Sequence, residues 1–167
     1  MDTWTHTLRR AILPGALASV CSTLVLGALA KREAGSMFTG VNAISHWLWG
    51  DKAMRADHPS LKHTAVGYLI HHASALFWAA LFERSCKKIL DQQDVATSAT
   101  AAAVATGVAC FADYQLTPPR LRPGFEQRLS RSSLTLVYVA FGAGLAAGAV
   151  LSRRRQAERN QPSMGTA

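Results

Sequence analysis

Two adjacent histidines, His71 and His72, lie within residues 64–82, a run that contains no Lys, Arg, Asp or Glu. Ionisable side chains at membrane depth are costly and are therefore candidates for function. On a helix, His63 and His71 would share one face, and His72 would point about 100° away from His71. Three interpretations are open: a histidine hydrogen-bonded to a neighbouring helix, a metal or haem ligand, and a proton relay.

Further polar residues belong to the first and third connections between the charge-free runs of the chain. A metal site would draw on His46, Asp57, His58, His63 and Asp113, which share one membrane side if four helices cross the bilayer. Their spacing matches no ligand motif, and neither HxxxH boxes nor a Ser-His-Asp or phosphate-loop signature occurs. The sequence therefore predicts no catalytic residue and no cofactor. Haem or a transition metal is the alternative, with the metal unknown.

Four runs without charged residues set the predicted architecture. They cover residues 11–30, 64–82, 95–112 and 132–152. A helix needs roughly 20 mostly apolar residues to cross a bilayer, and in lipid only helices or closed barrels satisfy the backbone. The sequence predicts an all-α transmembrane four-helix bundle, a single membrane domain over residues 1–152. A basic, disordered cytoplasmic tail is expected over residues 153–167.

The composition indicates a lipid environment. The formal net charge is +8, and the basic residues flank the apolar runs, where they would meet anionic lipid headgroups. No basic stripe interleaved with aromatic residues is present, so nucleic acid is not an expected partner. The three cysteines, Cys21, Cys86 and Cys110, form no CxxC pair. Cys21 and Cys110 fall inside spans and are interpreted as small apolar fillers.

Small residues recur at every fourth position in the first and fourth runs. Such faces let membrane helices approach closely, and packing within the chain is favoured over a seam between two copies. The faces are Gly15, Ser19, Thr23 and Gly27, and Ala140, Gly144 and Gly148. The third run is rich in Ala and Thr and is expected inside the bundle. Cleavage after the first run as a signal peptide remains an alternative, although that run exceeds the usual length.

The first and third connections carry the unusual residues. Apolar residues three and four apart over residues 36–50 predict an interfacial helix, with a short re-entrant segment as the alternative. A second short helix is predicted over residues 123–130. Trp47, Trp49, Arg120 and Arg122 are candidate headgroup contacts. We expect a packed cap, with Asn42, Ser45 and His46 turned inward and Asp113 paired to an Arg or His.

The orientation follows only weakly from the sequence. The 18 Lys and Arg residues divide equally between the two faces, so their number does not choose an orientation. They are denser on the face with the termini, which places both termini in the cytoplasm. A mixed population of orientations is the alternative.

Three strings carry a family resemblance. They are NAISHWLWG at residues 42–50, the set Gly67, His71 and Phe77-Trp78, and the run from Asp113-Tyr114 to Thr117-Pro118-Pro119-Arg120. In this layout the chain resembles small four-span inner-membrane protein families of proteobacteria without an assigned activity. The expected function is non-enzymatic, a structural, accessory or envelope-stress role with a possible membrane-protein partner or homo-oligomer. The alternatives are a metal or haem protein using His71 or His72, and a small transporter or channel component.

Overall fold

The chain folds into six α-helices, and no strand occurs among the described residues. The computed structural model describes residues 3–160, without the side chain of Asn160. The helices are α1 (Trp4–Ala34), α2 (Thr39–Ile44), α3 (His46–Trp49), α4 (Val66–Leu90), α5 (Val95–Phe111) and α6 (Arg131–Asn160). The predicted all-α fold is confirmed.

Four helical segments are long and apolar enough to cross a membrane. They are Trp4–Ala34, Leu61–Leu90, Val95–Leu116 and Arg131–Arg159. Single π-helical turns, Leu61–Ala65 and Ala112–Leu116, extend α4 and α5 at one end of the bundle. All four segments are longer than the charge-free runs, because helical structure continues through the charged residues that border each run.

The four long helices form an antiparallel ring in the order α1, α4, α5, α6. Helix α1 packs against α4 and α6, and α5 packs against the same two helices. We call the end that carries residues 35–60 and 117–130 the cap end. The opposite end, which carries the chain termini and the α4–α5 turn, is the terminal end.

Glycines allow α1 and α6 to approach to backbone contact. A Cβ atom on Gly144 would lie 2.6 Å from the carbonyl oxygen of Leu17 and 2.7 Å from the Cα of Ala18. One on Gly148 would overlap the backbone of Pro14. Real Cβ atoms do not come this close, so only glycine fits. The predicted close packing of these small-residue faces within the chain is confirmed.

The predicted interior position of the third span is wrong. Helix α5 makes no extensive contact with α1, and its large side chains are exposed: Val95, Val104, Val108 and Phe111. Its buried residues are all small: Ser98, Ala101, Ala102, Thr106 and Ala109. Small side chains let α5 lie close against α4 and α6 on one side, and that close contact does not require burial on all sides.

The predicted disordered tail is wrong over residues 153–160. Helix α6 continues to Asn160, and Arg153 is only 3% exposed because it binds acidic side chains of α4. The rest of the predicted tail, residues 161–167, lies outside the described residues.

The predicted interfacial helix over residues 36–50 is two short helices, and all six residues of α2 are buried. Its amphipathic pattern therefore does not mark an exposed surface. The break comes at Ser45, whose backbone N–H and hydroxyl both donate to the carbonyl of Asn42, at 3.0 and 2.7 Å. Such local bonds compete with helix continuation. The helix predicted over residues 123–130 is a single 3₁₀ turn, Phe125–Gln127.

Candidate functional site

The cap is organised around Asn42, which is fully buried. Its side-chain amide donates to the carbonyl oxygens of Ala56 and His58, at 2.7 and 2.9 Å. Its side-chain oxygen accepts a hydrogen bond from Thr64 at 2.7 Å. One side chain therefore joins α2 to the long connection and to the first turn of the second span.

Further contacts join the first and third connections into one layer. The indole N–H of Trp47 donates to the carbonyl oxygen of Arg122 at 2.9 Å. The guanidinium of Arg128 pairs with Asp57 at 2.8 Å and also donates to the Met54 carbonyl. Since these bonds join residues more than seventy positions apart, the predicted cap over the bundle is confirmed.

Of the candidate headgroup contacts, Trp49 and Arg120 are exposed, whereas Trp47 is partly buried within the cap. The ring of Trp49 is 39% exposed, and the ammonium group of Lys62 lies 4.7 Å from its centroid. Arg120 is exposed and Arg122 is partly buried. Their contact with lipid headgroups stays a prediction.

Beneath the cap, the four long helices enclose a cavity of about 260 Å³. Eighteen residues line it, contributed by α1, α4, α5, α6 and both cap connections. Six of these are aromatic: Trp47, Phe77, Trp78, Phe125, Tyr138 and Phe141. Ligand sites are mostly apolar and aromatic with a few convergent polar groups, so this cavity is the candidate site.

His71 is one of the polar groups that line the cavity. Its Nε2 lies 2.8 Å from the hydroxyl of Ser22, and that hydroxyl also lies 2.7 Å from the carbonyl of Ala18. A carbonyl can only accept, so we assign the Ser22 proton to that bond. Nε2–H of His71 then donates to Ser22 and leaves Nδ1 as an acceptor. This geometry agrees with the hydrogen-bonded interpretation of His71.

Asp113 and Tyr138 form the second polar pair of the cavity. The phenol of Tyr138 donates to Asp113 Oδ2 at 2.6 Å. The prediction that Asp113 has a partner is confirmed, but the expected Arg or His partner is wrong. The end of α5 packs beside α6, where this tyrosine is the facing polar residue. Asp113 Oδ1 has no protein partner within residues 3–160.

The other candidate histidines do not converge on this cavity. His46 is buried in the cap with Nδ1 2.9 Å from the carbonyl oxygen of Ala43, and His63 Nδ1 lies 3.0 Å from the Ser45 hydroxyl. The ring of His72 lies against Tyr68, with the centroids 5.7 Å apart. Among the described residues, no three His, Cys, Asp or Glu side chains are placed to share a metal ion.

Several cavity residues were not predicted from the sequence as site residues: Ser22, Trp78, Phe125 and Tyr138. The only signal for Tyr138 was a single phenol within the apolar fourth run. Ser22 lies beside the predicted small-residue face and was indistinguishable from other small residues of span one. Which of them face the cavity depends on how α1 and α6 are rotated in the bundle.

Comparison of the chain with family models, with curated proteins and with solved structures finds no match. A shared fold would in any case not establish function, which depends on the geometry and chemistry of a site.

Proposed function

We propose that this is a multipass inner-membrane protein that binds a small molecule from the bilayer in the cavity beneath the cap. The observation that carries this proposal is the cavity itself, an aromatic space of about 260 Å³ with two polar pairs on its walls. The proposed role is binding without catalysis, as expected of an accessory protein of the membrane.

The route into the cavity supports a ligand drawn from lipid. Phe77 of α4 and Leu121 of the third connection line the cavity and are 57% and 44% exposed. Because these two lining residues are also exposed at the outer surface, we propose that the cavity opens at this side of the bundle. Helices α4 and α5 are joined by a short turn at the terminal end, and both contribute residues to the wall of the cavity, among them Phe77 and Ala109.

The cap supports a binding role because it fixes the roof of the cavity. Trp47 is held by its bond to the Arg122 carbonyl, and Phe125 is 3% exposed. Walls whose side chains are already packed lose little conformational entropy when a ligand binds, which favours affinity.

The two other candidate functions have no comparable support. For a metal or haem protein, His71 or His72 would be the ligand, but each ring already lies against another side chain, His71 against Ser22 and His72 against Tyr68. For a transporter, the Thr-rich third span would need to line a path. None of Thr97, Thr100 and Thr106 lines the cavity.

The surroundings proposed for the protein follow from its charge. Anionic headgroups are the proposed partners of the basic residues at both ends, including Arg120 and Arg122 at the cap end. Both termini are proposed to lie in the cytoplasm, since the basic residues of the terminal end are concentrated in fewer residues. Contact with a second copy or another membrane protein is left as a proposal.

The test uses a substitution that fills the cavity and asks which bound small molecule the variant no longer retains. Ala109 is 2% exposed and lines the cavity, whereas Ala103 on the same helix is exposed and does not line it. We would purify wild type, Ala109→Leu and Ala103→Leu in nanodiscs of one lipid composition and identify extracted small molecules by mass spectrometry. The proposal predicts a near-stoichiometric molecule in wild type and Ala103→Leu that is depleted in Ala109→Leu. Identical extracts from all three would contradict it.

A further inference from the structure

We propose that the ligand is a hydroquinone, a six-membered ring with hydroxyl groups on opposite sides, whose apolar tail leaves the bundle between α4 and α5. This inference depends on the proposed binding function and specifies its ligand class. It follows from the positions of the two polar pairs, their free hydrogen-bonding positions, and the shape of the cavity.

The two polar pairs lie on opposite walls. His71 and Ser22 join α4 to α1, and Asp113 and Tyr138 join α5 to α6. In the ring α1, α4, α5, α6, the first pair of helices faces the second across the cavity. A ligand that bonds both pairs therefore needs polar groups on opposite sides, with an apolar body between them.

Both free positions are acceptors. Tyr138 donates its proton to Asp113 Oδ2, which leaves Oδ1 free to accept a hydrogen bond. The His71 proton on Nε2 is used on Ser22, which leaves Nδ1 to accept. A ligand that satisfies both must donate at each side, as the two hydroxyl groups of a hydroquinone do. The oxidised quinone has only acceptors and would meet acceptors on both walls.

The walls between the polar pairs suit a flat ring. A third of the eighteen lining residues are aromatic, and aromatic rings pack favourably in offset and edge-to-face arrangements. The volume of about 260 Å³ is below the roughly 300–1,000 Å³ typical of sites for drug-sized ligands. It therefore suits one ring, and a longer tail would have to leave through the side opening at Phe77 and Leu121.

The test uses a nonyl-substituted hydroquinone, kept reduced with ascorbate, and its dimethyl ether, which keeps the ring and the tail but cannot donate. The protein in nanodiscs is heated with each probe, and Tm is followed by tryptophan fluorescence, since a ligand of the folded state raises Tm. We expect the hydroquinone to raise Tm by several degrees and the ether to have little effect. The ether is the more apolar compound, so weaker partitioning into lipid cannot explain a smaller shift.

Two variants assign the effect to the cavity. Asp113→Asn keeps an acceptor for Tyr138 but replaces the free acceptor with an N–H donor, so hydroquinone affinity should fall at least about tenfold. The same variant should bind the oxidised quinone more tightly than wild type does. Gly107→Ala on α5 is the control, because Gly107 does not line the cavity and an added Cβ atom there has no neighbour within 4 Å.

The outcomes separate the two proposals. Equal Tm shifts with hydroquinone and ether would overturn the hydroquinone assignment and leave the binding function in place. The same holds if Asp113→Asn binds the hydroquinone and the oxidised quinone with the same relative affinities as wild type. Absence of any shift with either probe would overturn the hydroquinone assignment as well. The binding function would then fail only if the extracts of wild type and Ala109→Leu were also identical.

Discussion

Arg153 of α6 and Glu83 of α4 form a buried, bidentate ion pair near the terminal end of the bundle. The two guanidinium nitrogens donate to the two carboxylate oxygens at 2.9 Å each, and both residues are 3% exposed. Asp91 extends the pair, because it accepts from Arg153 at 3.2 Å and pairs with Arg10 of α1 at 3.1 Å. The network joins three of the four long helices.

Removal of one partner from this pair should be strongly destabilising. Glu83→Gln leaves the buried Arg153 with Asp91 as its remaining carboxylate partner, so the loss should approach the lower end of the about 3–5 kcal/mol that breaking a buried ion pair costs. The free energy of unfolding, measured by titration with denaturing detergent, should fall by that amount. Arg154→Met is the control, since Arg154 is exposed on the next position of α6.

The double replacement provides a sharper test of the same pair. Glu83→Leu with Arg153→Met removes both charges, and apolar pairs often replace buried ion pairs without loss of stability. The double variant should therefore be more stable than either single replacement. If the double variant loses as much free energy of unfolding as the two single variants together, the two residues act independently.

This ion pair shows what the charge pattern could not predict. The charge-free runs located the four spans correctly, because only helices of that length and composition satisfy a backbone in lipid. The same rule assigned Glu83 and Arg153 to the borders, where charged residues are ordinarily solvated. Their burial depends on α4 and α6 continuing past those borders in register with each other, a property of the packed bundle.

Alanine at Gly144 should destabilise the contact between α1 and α6. The new methyl group would meet the backbone of Leu17 and Ala18 at 2.6–2.7 Å, and overpacking of this kind costs about 1–3 kcal/mol. Gly107→Ala on α5 is the matched control, because a Cβ atom there has no neighbour within 4 Å. Unfolding measurements should show a loss for Gly144→Ala only, and equal stability of the two variants would contradict the close contact.

The sequence predicted which helix faces carry small residues, but it predicted only some of the helix contacts that those faces make. The fourfold spacing of Gly144 and Gly148 correctly indicated a close approach of helices within the chain. The same preference for small residues wrongly placed α5 at the centre of the bundle. Small side chains permit close contact, but they do not specify how many neighbours a helix has. That number depends on the larger residues of the other helices.

Loss of the Asn42 side chain should loosen the cap and leave the long helices in place. Asn42→Ala leaves the carbonyls of Ala56 and His58 and the hydroxyl of Thr64 without their bonds, and each buried unsatisfied group costs about 1–3 kcal/mol. Limited proteolysis should then cut residues 50–60 faster than in wild type. Helical content by circular dichroism should stay nearly unchanged, and cleavage at the wild-type rate would contradict this role.

The polar residues of the site were predictable as a set, but their pairings were not. Asp113 and His71 stood out because ionisable groups are costly at membrane depth. Their partners are a tyrosine and a serine, which are common in spans and carry no such signal. Tyr138 faces Asp113 only because of the rotation of α6 about its axis, which the glycine contacts with α1 determine.

The last prediction concerns orientation, for which the basic residues divide equally between the two ends. We expect a phosphatase fused after residue 167 to be inactive and a fluorescent protein at that position to be bright, as for a cytoplasmic C-terminus. Since the preference depends on few residues, Arg154→Ala with Arg155→Ala should increase the phosphatase activity of the fusion. Both side chains are exposed and lie outside the Arg153 network.

The matched control removes charge from the other end. Lys52→Ala with Arg55→Ala changes two exposed residues of the cap and should leave the phosphatase fusion inactive or lower its residual activity. Strong phosphatase activity of the unaltered chain would reverse the assigned orientation. Equal responses of the two double variants would show that the balance of basic residues does not determine how this chain inserts.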